Sequence, residues 1–263
     1  MSEWLVVVVL GIVEGITEFL PVSSTGHLLI VEQWLPWRES DTFLVVIQSG
    51  AAAAVVLVFQ RRLRELLAGW RTSAAADYLG KLAVAFAITA AGGLALKRVG
   101  FALPDTATPV AVATLVGGVL FILVERWLRG RSTAMRVTWP VATAMGLAQL
   151  LAAVFPGTSR SGATILVALA MGLARPLAIE FSFLLGVPTL MAAAGLKIVT
   201  TLNHPGGAGM GWGMLVLGTL VAAATAFATV RWLLRFVQSH TFEGFGWYRI
   251  ALGAAVLALM LWR

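Results

Sequence analysis

Two stretches, GIVEGITEFLPVSSTGHL at residues 11 to 28 and GLAQLLAAVFPGTSRSGA at residues 146 to 163, place polar residues and a proline inside apolar sequence. Glu14 and Glu18 are four residues apart, so on a helix their carboxylates share one face and repel each other. A metal ion or another cation between them would remove that repulsion. Proline ends a helix, so we expect a break at Pro21. The polar residues beside the break, which we predict to form a functional site, are Ser23, Ser24, Thr25 and His27.

The composition is that of a membrane protein. Of 263 residues, 59% are hydrophobic and 12% are charged, whereas soluble domains have roughly 45 to 50% apolar residues. The net charge of +7 comes from short Lys and Arg clusters between apolar runs, as in cytoplasmic loops, so we exclude nucleic-acid binding. The chain has no cysteine, which excludes disulfides, thiol nucleophiles and thiolate metal ligands.

The apolar runs predict an all-α polytopic membrane protein with six transmembrane helices and two re-entrant helical hairpins. Each hairpin is a run long enough to span a bilayer but broken in the middle, with half-helices at about 4–20 and 24–33, and at about 139–155 and 158–173. Irregular backbone at membrane depth is tolerated where it lines a wet cavity, so we expect the two tips to line one. The six full spans are predicted at about 43–59, 79–96, 107–124, 178–198, 213–231 and 247–262.

The two hairpins belong to an internal repeat. A shift of 135 residues aligns Gly11 with Gly146, Glu14 with Gln149, Pro21 with Pro156 and Ser24 with Ser159. We interpret residues 1–263 as a single membrane domain with inverted repeat halves 1–128 and 136–263. Arginine clusters mark cytoplasmic loops after the first and third spans, and the hairpins enter from opposite sides, the first from outside, because three spans separate them. Such repeats are typical of secondary transporters.

Ionisable groups at membrane depth cost roughly 2.5 to 3.5 kcal/mol each and are functional by default. The carboxylates of Glu14 and Glu18 suit a hard divalent cation, Mg²⁺ or Ca²⁺, which takes oxygen ligands. Ser24 and His27, three residues apart, share a helical face, which brings a nucleophile and its proton acceptor close together. A serine alone more often bonds a backbone carbonyl, and a lone histidine is more often a satisfied polar residue, but the neighbouring residues favour a site.

Arg160 stands at the start of a half-helix, where free amides and the helix dipole favour an anion. Its planar guanidinium matches phosphate oxygens, whereas an arginine that snorkels to the interface is the alternative. For Glu180 we favour a role at the start of a helix over catalysis. The residues predicted to bind substrate together with Arg160 are Ser23, Thr25, Gly157, Ser159, Ser161 and Thr164.

These residues together predict phosphoryl chemistry on a lipid. A transporter or lipid flippase is the main alternative, because inverted repeats and broken helices are common in transporters. A purely structural membrane protein would leave the buried charges unexplained.

Three motifs, EGITEFLPVSSTGHL from residue 14, PGTSRSGATI from residue 156 and EFSFLLGVP from residue 180, resemble the undecaprenyl-pyrophosphate phosphatase family of the BacA type, over essentially the whole chain. The resemblance implies removal of the terminal phosphate of undecaprenyl pyrophosphate, which recycles the carrier lipid of bacterial cell-wall synthesis. It also implies a divalent cation, a homodimer, and a bacterial plasma (inner) membrane protein whose active site opens to the periplasmic or outer face. The residues that match the family's motifs are Glu14, Glu18, Ser24, His27, Ser159, Arg160 and Thr164.

In the mechanism that we expect, a cation on Glu14 and Glu18 neutralises the pyrophosphate while Arg160 stabilises the transferring phosphoryl group. Ser24 then attacks, with His27 as its base. A water nucleophile activated by His27 or by a glutamate is the rival, and the sequence does not decide between them.

The arginine clusters and the odd number of spans between the hairpins predict a topology that cysteine labelling tests. Ala68→Cys and Gly206→Cys in this cysteine-free chain should react with a membrane-impermeant maleimide from opposite sides, the first from the cytoplasm. Labelling of both positions from one side would contradict the inverted repeat.

Overall fold

The computed structural model describes residues 2–35, 40–101, 106–203 and 211–261. Eleven helices account for the regular structure of these residues, apart from one isolated bridge between Ala134 and Leu173. The helices are α1 Glu3–Thr17, α2 Ser24–Trp34, α3 Asp41–Val58, α4 Gln60–Ala68, α5 Ser73–Arg98, α6 Ala107–Leu128, α7 Trp139–Val154, α8 Arg160–Ala170, α9 Arg175–Leu202, α10 Trp212–Phe236 and α11 Glu243–Leu261.

Five of the described helices, α3, α5, α6, α9 and α10, are long and apolar enough to cross a membrane. The prediction of an all-helical, multi-pass membrane protein is therefore confirmed. The predicted span at 247–262 overlaps α11, but this helix is not among the five. A sixth span thus stays a prediction. Residue 206, one of the proposed labelling positions, lies outside the described residues.

The first arginine cluster, expected as a plain loop, folds into the short helix α4. Its apolar side packs inward through the buried Leu66 and the partly buried Leu63. Arg62 on α4 donates from Nε to Oε1 of Glu180 at 3.0 Å, and the Tyr78 hydroxyl donates to the same oxygen at 2.9 Å. Glu180 lies five residues after the start of α9, so the prediction of a helix-start role is wrong. Its carboxylate instead joins α4 and α5 to α9.

Both predicted breaks are present. The first lies between α1 and α2, and the second lies between α7 and α8. Helix α1 packs against α10 and α7 packs against α5, while α3 pairs with α9 and α6 pairs with α11. This set of contacts is unchanged when the two halves of the chain are exchanged, as a repeat requires. The opposite orientation of the halves in the membrane stays a prediction.

Two serines begin the second helices of the hairpins with the same unusual geometry. Ser23 has φ 72° and Ser159 has φ 66°, and no other non-glycine residue in the described ranges has a positive φ. Each hydroxyl accepts a hydrogen bond from the amide three residues on, Gly26 N at 3.3 Å and Gly162 N at 3.1 Å. Both are helix N-caps.

Because Ser23 caps α2 and Ser159 caps α8 in the same way, these two serines correspond to each other, and they are 136 residues apart. The predicted alignment of Ser24 with Ser159 is therefore wrong by one position. The second tip has one more residue between its proline and its capping serine than the first tip has. Ser24 consequently corresponds to Arg160, so the two hairpins carry different chemistry at the same place.

Candidate active site

The two tips meet through an ion pair between the end of α1 and the start of α8. Arg160 donates from Nη2 to Oε1 of Glu18 at 3.3 Å, and their side chains are only 12% and 7% exposed. The guanidinium also lies over the ring of Phe19, 5.0 Å from its centroid. On the other side it lies against Gly186 of α9, where any Cβ would collide with Arg160. Two residues that the sequence singled out separately are therefore in direct contact.

Ser24 belongs to the same cluster. It is the first residue of α2, and its half-buried hydroxyl donates to Oε2 of Glu18 at 3.3 Å. One carboxylate therefore bridges the serine and the arginine, with one oxygen for each partner. Glu18 is therefore the group that is placed to accept the proton of this hydroxyl.

Glu14 lies one helical turn before Glu18. The backbone amide of Glu18 bonds the carbonyl of Glu14 at 2.9 Å, so helical geometry extends to Glu18 and both carboxylates share one face. The side chain of Glu14 is fully buried, and neither of its oxygens has a hydrogen-bond partner among the described residues. A buried carboxylate without a partner is costly and calls for an explanation.

Nε and Nη1 of Arg160 are likewise buried without an acceptor in the described part of the chain. Unpaired arginine donors suit an anion such as phosphate, and unpaired carboxylate oxygens suit a cation. Within the described residues, the cluster therefore has unpaired groups for an anion and for a cation.

A divalent metal ion fits this donor set in part. Glu14 and Glu18 offer hard oxygen ligands on one helical face, which is the chemistry that Mg²⁺ and Ca²⁺ prefer. Within the described ranges no group of three or more His, Cys, Asp or Glu residues is arranged to hold a metal. A cation here would therefore need water or substrate oxygens to complete its coordination.

His27 does not bond Ser24, contrary to the arrangement expected from their spacing. Its Nδ1 lies 2.8 Å from the carbonyl of Ser23, and its Nε2 lies 2.6 Å from the hydroxyl of Tyr248. A carbonyl only accepts hydrogen bonds, so these partners assign the ring proton to Nδ1 and leave Nε2 to accept from Tyr248. The ring therefore bonds the carbonyl of the capping residue Ser23, one helical turn earlier, and not the Ser24 hydroxyl.

The other residues predicted to bind substrate divide into two groups. Thr25 is exposed on the first turn of α2, and Ser23 and Ser159 are the helix caps. Ser161 is fully buried and bonds the carbonyls of Glu18 and Leu20 at 3.3 and 3.1 Å.

Thr164, also fully buried, bonds Ser182 of α9 at 2.6 Å. The hydroxyls of Ser161 and Thr164 therefore hold α8 against α1 and α9. Direct substrate contacts by the predicted binding residues stay predictions.

Arg249 of α11 was missed by the sequence analysis. Its side chain is fully buried and has no acidic partner among the described residues. The guanidinium instead donates to backbone carbonyls from both tips and from α6. They belong to Pro21 at 3.1 Å, Gly157 at 3.2 Å, Thr158 at 3.1 Å, Ala113 at 3.3 Å and Thr114 at 3.2 Å.

Gly157 is the glycine that this arrangement requires. It has φ 91°, a Cβ there would collide with Val110, and its carbonyl accepts from both Thr114 and Arg249 at 3.2 Å.

The signal for Arg249 was present in the sequence, because it is an ionisable residue within the predicted span 247–262. No comparable signal marked Tyr248.

The fold and the site define a class of protein: a multi-pass membrane protein in which two broken helices bring carboxylates, a serine and an arginine together in an apolar bundle. Residues 7–255 match the family described as bacitracin resistance protein BacA. The undecaprenyl-diphosphatase of Rhizobium etli is 50% identical over 252 residues, covering 95% of each chain. The undecaprenyl-diphosphatase of Xanthomonas axonopodis pv. citri is 45% identical over 263 residues, covering 100% of this chain and 98% of its own. The chain belongs to the BacA family, which confirms the resemblance seen in its motifs.

The contacts of Arg249 predict a large effect of its removal. Arg249→Leu leaves the tip carbonyls of Pro21 and Thr158 without this donor, and each unsatisfied buried group costs about 1 to 3 kcal/mol. We expect a clearly lower midpoint of thermal unfolding in detergent. Arg98→Leu, an exposed position at the end of α5, is the control and should change the midpoint little. Equal midpoints for the two variants would contradict this role of Arg249.

Proposed function

We propose that this protein hydrolyses undecaprenyl pyrophosphate to undecaprenyl phosphate and inorganic phosphate, which recycles the lipid carrier for bacterial cell-wall synthesis. The observation that carries the proposal is the pair of unsatisfied groups around Glu18, the guanidinium of Arg160 and the carboxylate of Glu14. They match a phosphate group and its counter-cation. The names of the relatives, undecaprenyl-diphosphatase, support the same substrate.

In the reaction that we propose, the hydroxyl of Ser24 attacks the terminal phosphorus. The bond from this phosphorus to the bridging oxygen breaks, and undecaprenyl phosphate leaves with the electron pair. The proton of Ser24 passes to Glu18, which already accepts its hydrogen bond. Water then hydrolyses the phosphoserine. We assign the base to Glu18 because both ring nitrogens of His27 are bound to other groups.

Arg160 has the donors that the transferring phosphoryl group needs. One nitrogen holds Glu18, while Nε and Nη1 are buried without an acceptor among the described residues, which leaves donors for phosphate oxygens. The start of α8 adds the positive end of a helix dipole at the same place. These donors act on charge that spreads over the phosphoryl oxygens during transfer.

A divalent cation, Mg²⁺ or Ca²⁺, is part of the proposal. Glu14 and Glu18 would hold it, and it would neutralise pyrophosphate charge and act as a Lewis acid. The buried, unpartnered oxygens of Glu14 support this assignment.

Apolar surfaces beside the site suit a polyprenyl chain. A cavity of about 490 Å³ is lined by His27, Tyr248 and apolar residues of α1, α2, α10 and α11. A second apolar cavity of about 690 Å³ borders Thr158 and Gly162 at the other tip. A substrate with a charged head and a long hydrocarbon tail needs polar and apolar surfaces in contact, as they are here.

The proposal includes the arrangement in the cell. We propose six transmembrane helices and two re-entrant hairpins in an inverted repeat, located in the bacterial plasma (inner) membrane. The site opens to the periplasmic or outer face, and the protein is a homodimer.

A transporter or flippase on this fold is the competing function, and none of the relatives named above supports it. Release of inorganic phosphate from undecaprenyl pyrophosphate by purified protein in detergent separates the two.

The serine mechanism predicts which variants lose turnover. Ser24→Ala removes the attacking oxygen and Glu18→Gln removes the base, so both should lower phosphate release by about 1000-fold or more. Arg160→Lys keeps the charge but loses the planar fork and should also be impaired. Ser49→Ala in α3, whose hydroxyl bonds the carbonyl of Val46, is the matched control and should retain full activity.

A residual rate separates the two nucleophiles. Turnover by Ser24→Ala within about tenfold of the unmodified protein, or about 1.4 kcal/mol of barrier, would exclude serine as the obligatory nucleophile and favour water. Trapping of a phosphoserine after acid quench would support the serine.

The carboxylate pair predicts a requirement for a divalent cation. Excess EDTA should abolish phosphate release, and added Mg²⁺ or Ca²⁺ should restore it. Glu14→Gln should raise the concentration of cation needed for half-maximal activity, because one charged ligand is lost. Glu65→Gln on the exposed face of α4 is the control. Full activity in EDTA would remove the metal from the proposal.

A further inference from the structure

His27 and Tyr248 form a pair that the proposed reaction does not use. The Tyr248 hydroxyl lies 2.6 Å from Nε2 of His27, and the planes of the two rings are 11° apart with centroids separated by 5.6 Å. Tyr248 comes from α11, 221 residues further along the chain. The imidazole is therefore held on one edge by the tyrosine hydroxyl.

The other edge of the imidazole holds the backbone at the first tip. Nδ1 of His27 donates to the carbonyl of Ser23 at 2.8 Å, whereas the backbone amide of His27 is 3.4 Å from the same oxygen. The ring is therefore the closer donor. Ser23 is buried and has φ 72° and ψ 93°, a conformation that costs a residue with a side chain about 1 to 3 kcal/mol and persists only when its surroundings hold it.

This backbone matters because the next residue is Ser24. The peptide group that carries the Ser23 carbonyl also carries the amide of Ser24. A rotation of that peptide would move the Ser24 hydroxyl relative to Glu18, which it meets at 3.3 Å. The imidazole thus holds the peptide group that immediately precedes the proposed nucleophile.

The second hairpin makes the same turn without a histidine. Ser159 has φ 66°, and its carbonyl accepts the backbone amide of Ala163 at 2.8 Å. Ala163 stands where His27 stands in the first hairpin, since Ser159 corresponds to Ser23. The turn itself therefore does not require an imidazole. The pair occurs on the hairpin that carries Ser24 and not on the one that carries Arg160, which points to chemistry and not to folding.

We propose that Tyr248 is a positioning residue of the active site. Its hydroxyl holds the His27 ring with the proton on Nδ1, and this proton holds the Ser23 carbonyl and with it the peptide that aims Ser24 at the phosphorus. The inference rests on the proposed role of Ser24 as nucleophile. Tyr248 does not touch the reacting atoms in this role.

Tyr248→Phe is the variant that tests the hydroxyl alone, because it keeps the aromatic ring. We expect kcat to fall about 10- to 100-fold, as for a small misalignment of reacting groups, with KM within about twofold. The chain has two tyrosines, so Tyr78→Phe is a matched control. Its hydroxyl bonds Glu180, on α9, and its loss should leave kcat unchanged. An unchanged kcat for Tyr248→Phe would overturn the proposal.

A double-mutant cycle shows whether Tyr248 acts through His27. In a His27→Ala background, Tyr248→Phe should have no further effect on kcat, because the ring that the hydroxyl holds is gone. If the two losses multiply instead, the hydroxyl acts by another route and the proposal is wrong.

The tautomer of His27 gives a readout that does not depend on turnover. In protein labelled with ¹⁵N-histidine, the His27 signals are assigned by their loss in His27→Ala. We expect a fixed Nδ1 proton in the unmodified chain and loss of that fixed tautomer in Tyr248→Phe but not in Tyr78→Phe. The same tautomer in all three proteins would overturn the proposal. An active Ser24→Ala would instead refute the nucleophile while leaving this spectrum unchanged, so the two failures are distinguishable.

Discussion

The hydrogen bonds of Arg249 to both hairpin tips are the interaction on which the site depends. A helix that stops inside a bundle leaves carbonyls without partners, and apolar surroundings offer no water to satisfy them. Arg249 supplies donors to Pro21 at the first tip and to Gly157 and Thr158 at the second. Since one guanidinium serves both tips, they are held at a fixed distance from each other. The end of α1 and the start of α8 can then meet, which is how Glu18 and Arg160 become partners.

The two halves of the chain use equivalent positions for different purposes. Gln149 stands in α7 where Glu14 stands in α1, and its side-chain amide donates to the Thr89 hydroxyl of α5 at 2.9 Å. Thr89 also bonds the carbonyl of Gly146 at 3.1 Å, so in the second half this position helps to hold two helices together. Glu14 has no such partner among the described residues. The two similar breaks, which we predicted as parts of a repeat, thus carry different residues: acids and a serine at the first, and an arginine at the second.

Sequence reasoning was most successful where the signal is local. Prolines and polar residues inside apolar runs predicted both breaks. The cost of a charged group at membrane depth pointed to Glu14, Glu18 and Arg160 as functional residues. It was weaker where a contact depends on distant elements. The spacing of Ser24 and His27 predicted that the two side chains would pair, but the His27 ring bonds Tyr248 of α11 instead. Local spacing carries no information about such a partner. One extra residue in the second tip likewise shifted the alignment of the serines, because sequence matching cannot show which serine caps its helix.

The space around Arg160 limits what the site can bind. Phe19 covers one face of the guanidinium and Gly186 lies against it on the α9 side, where even a methyl group would collide. The plane of the guanidinium is therefore fixed by its surroundings, and Arg160 does not have to pay the full entropy of a free arginine when a ligand arrives. One donor is already committed to Glu18, so the remaining donors point in directions set before binding. In the reaction proposed above, donors fixed in this way would meet the charge of the transferring phosphoryl group without first having to be reoriented.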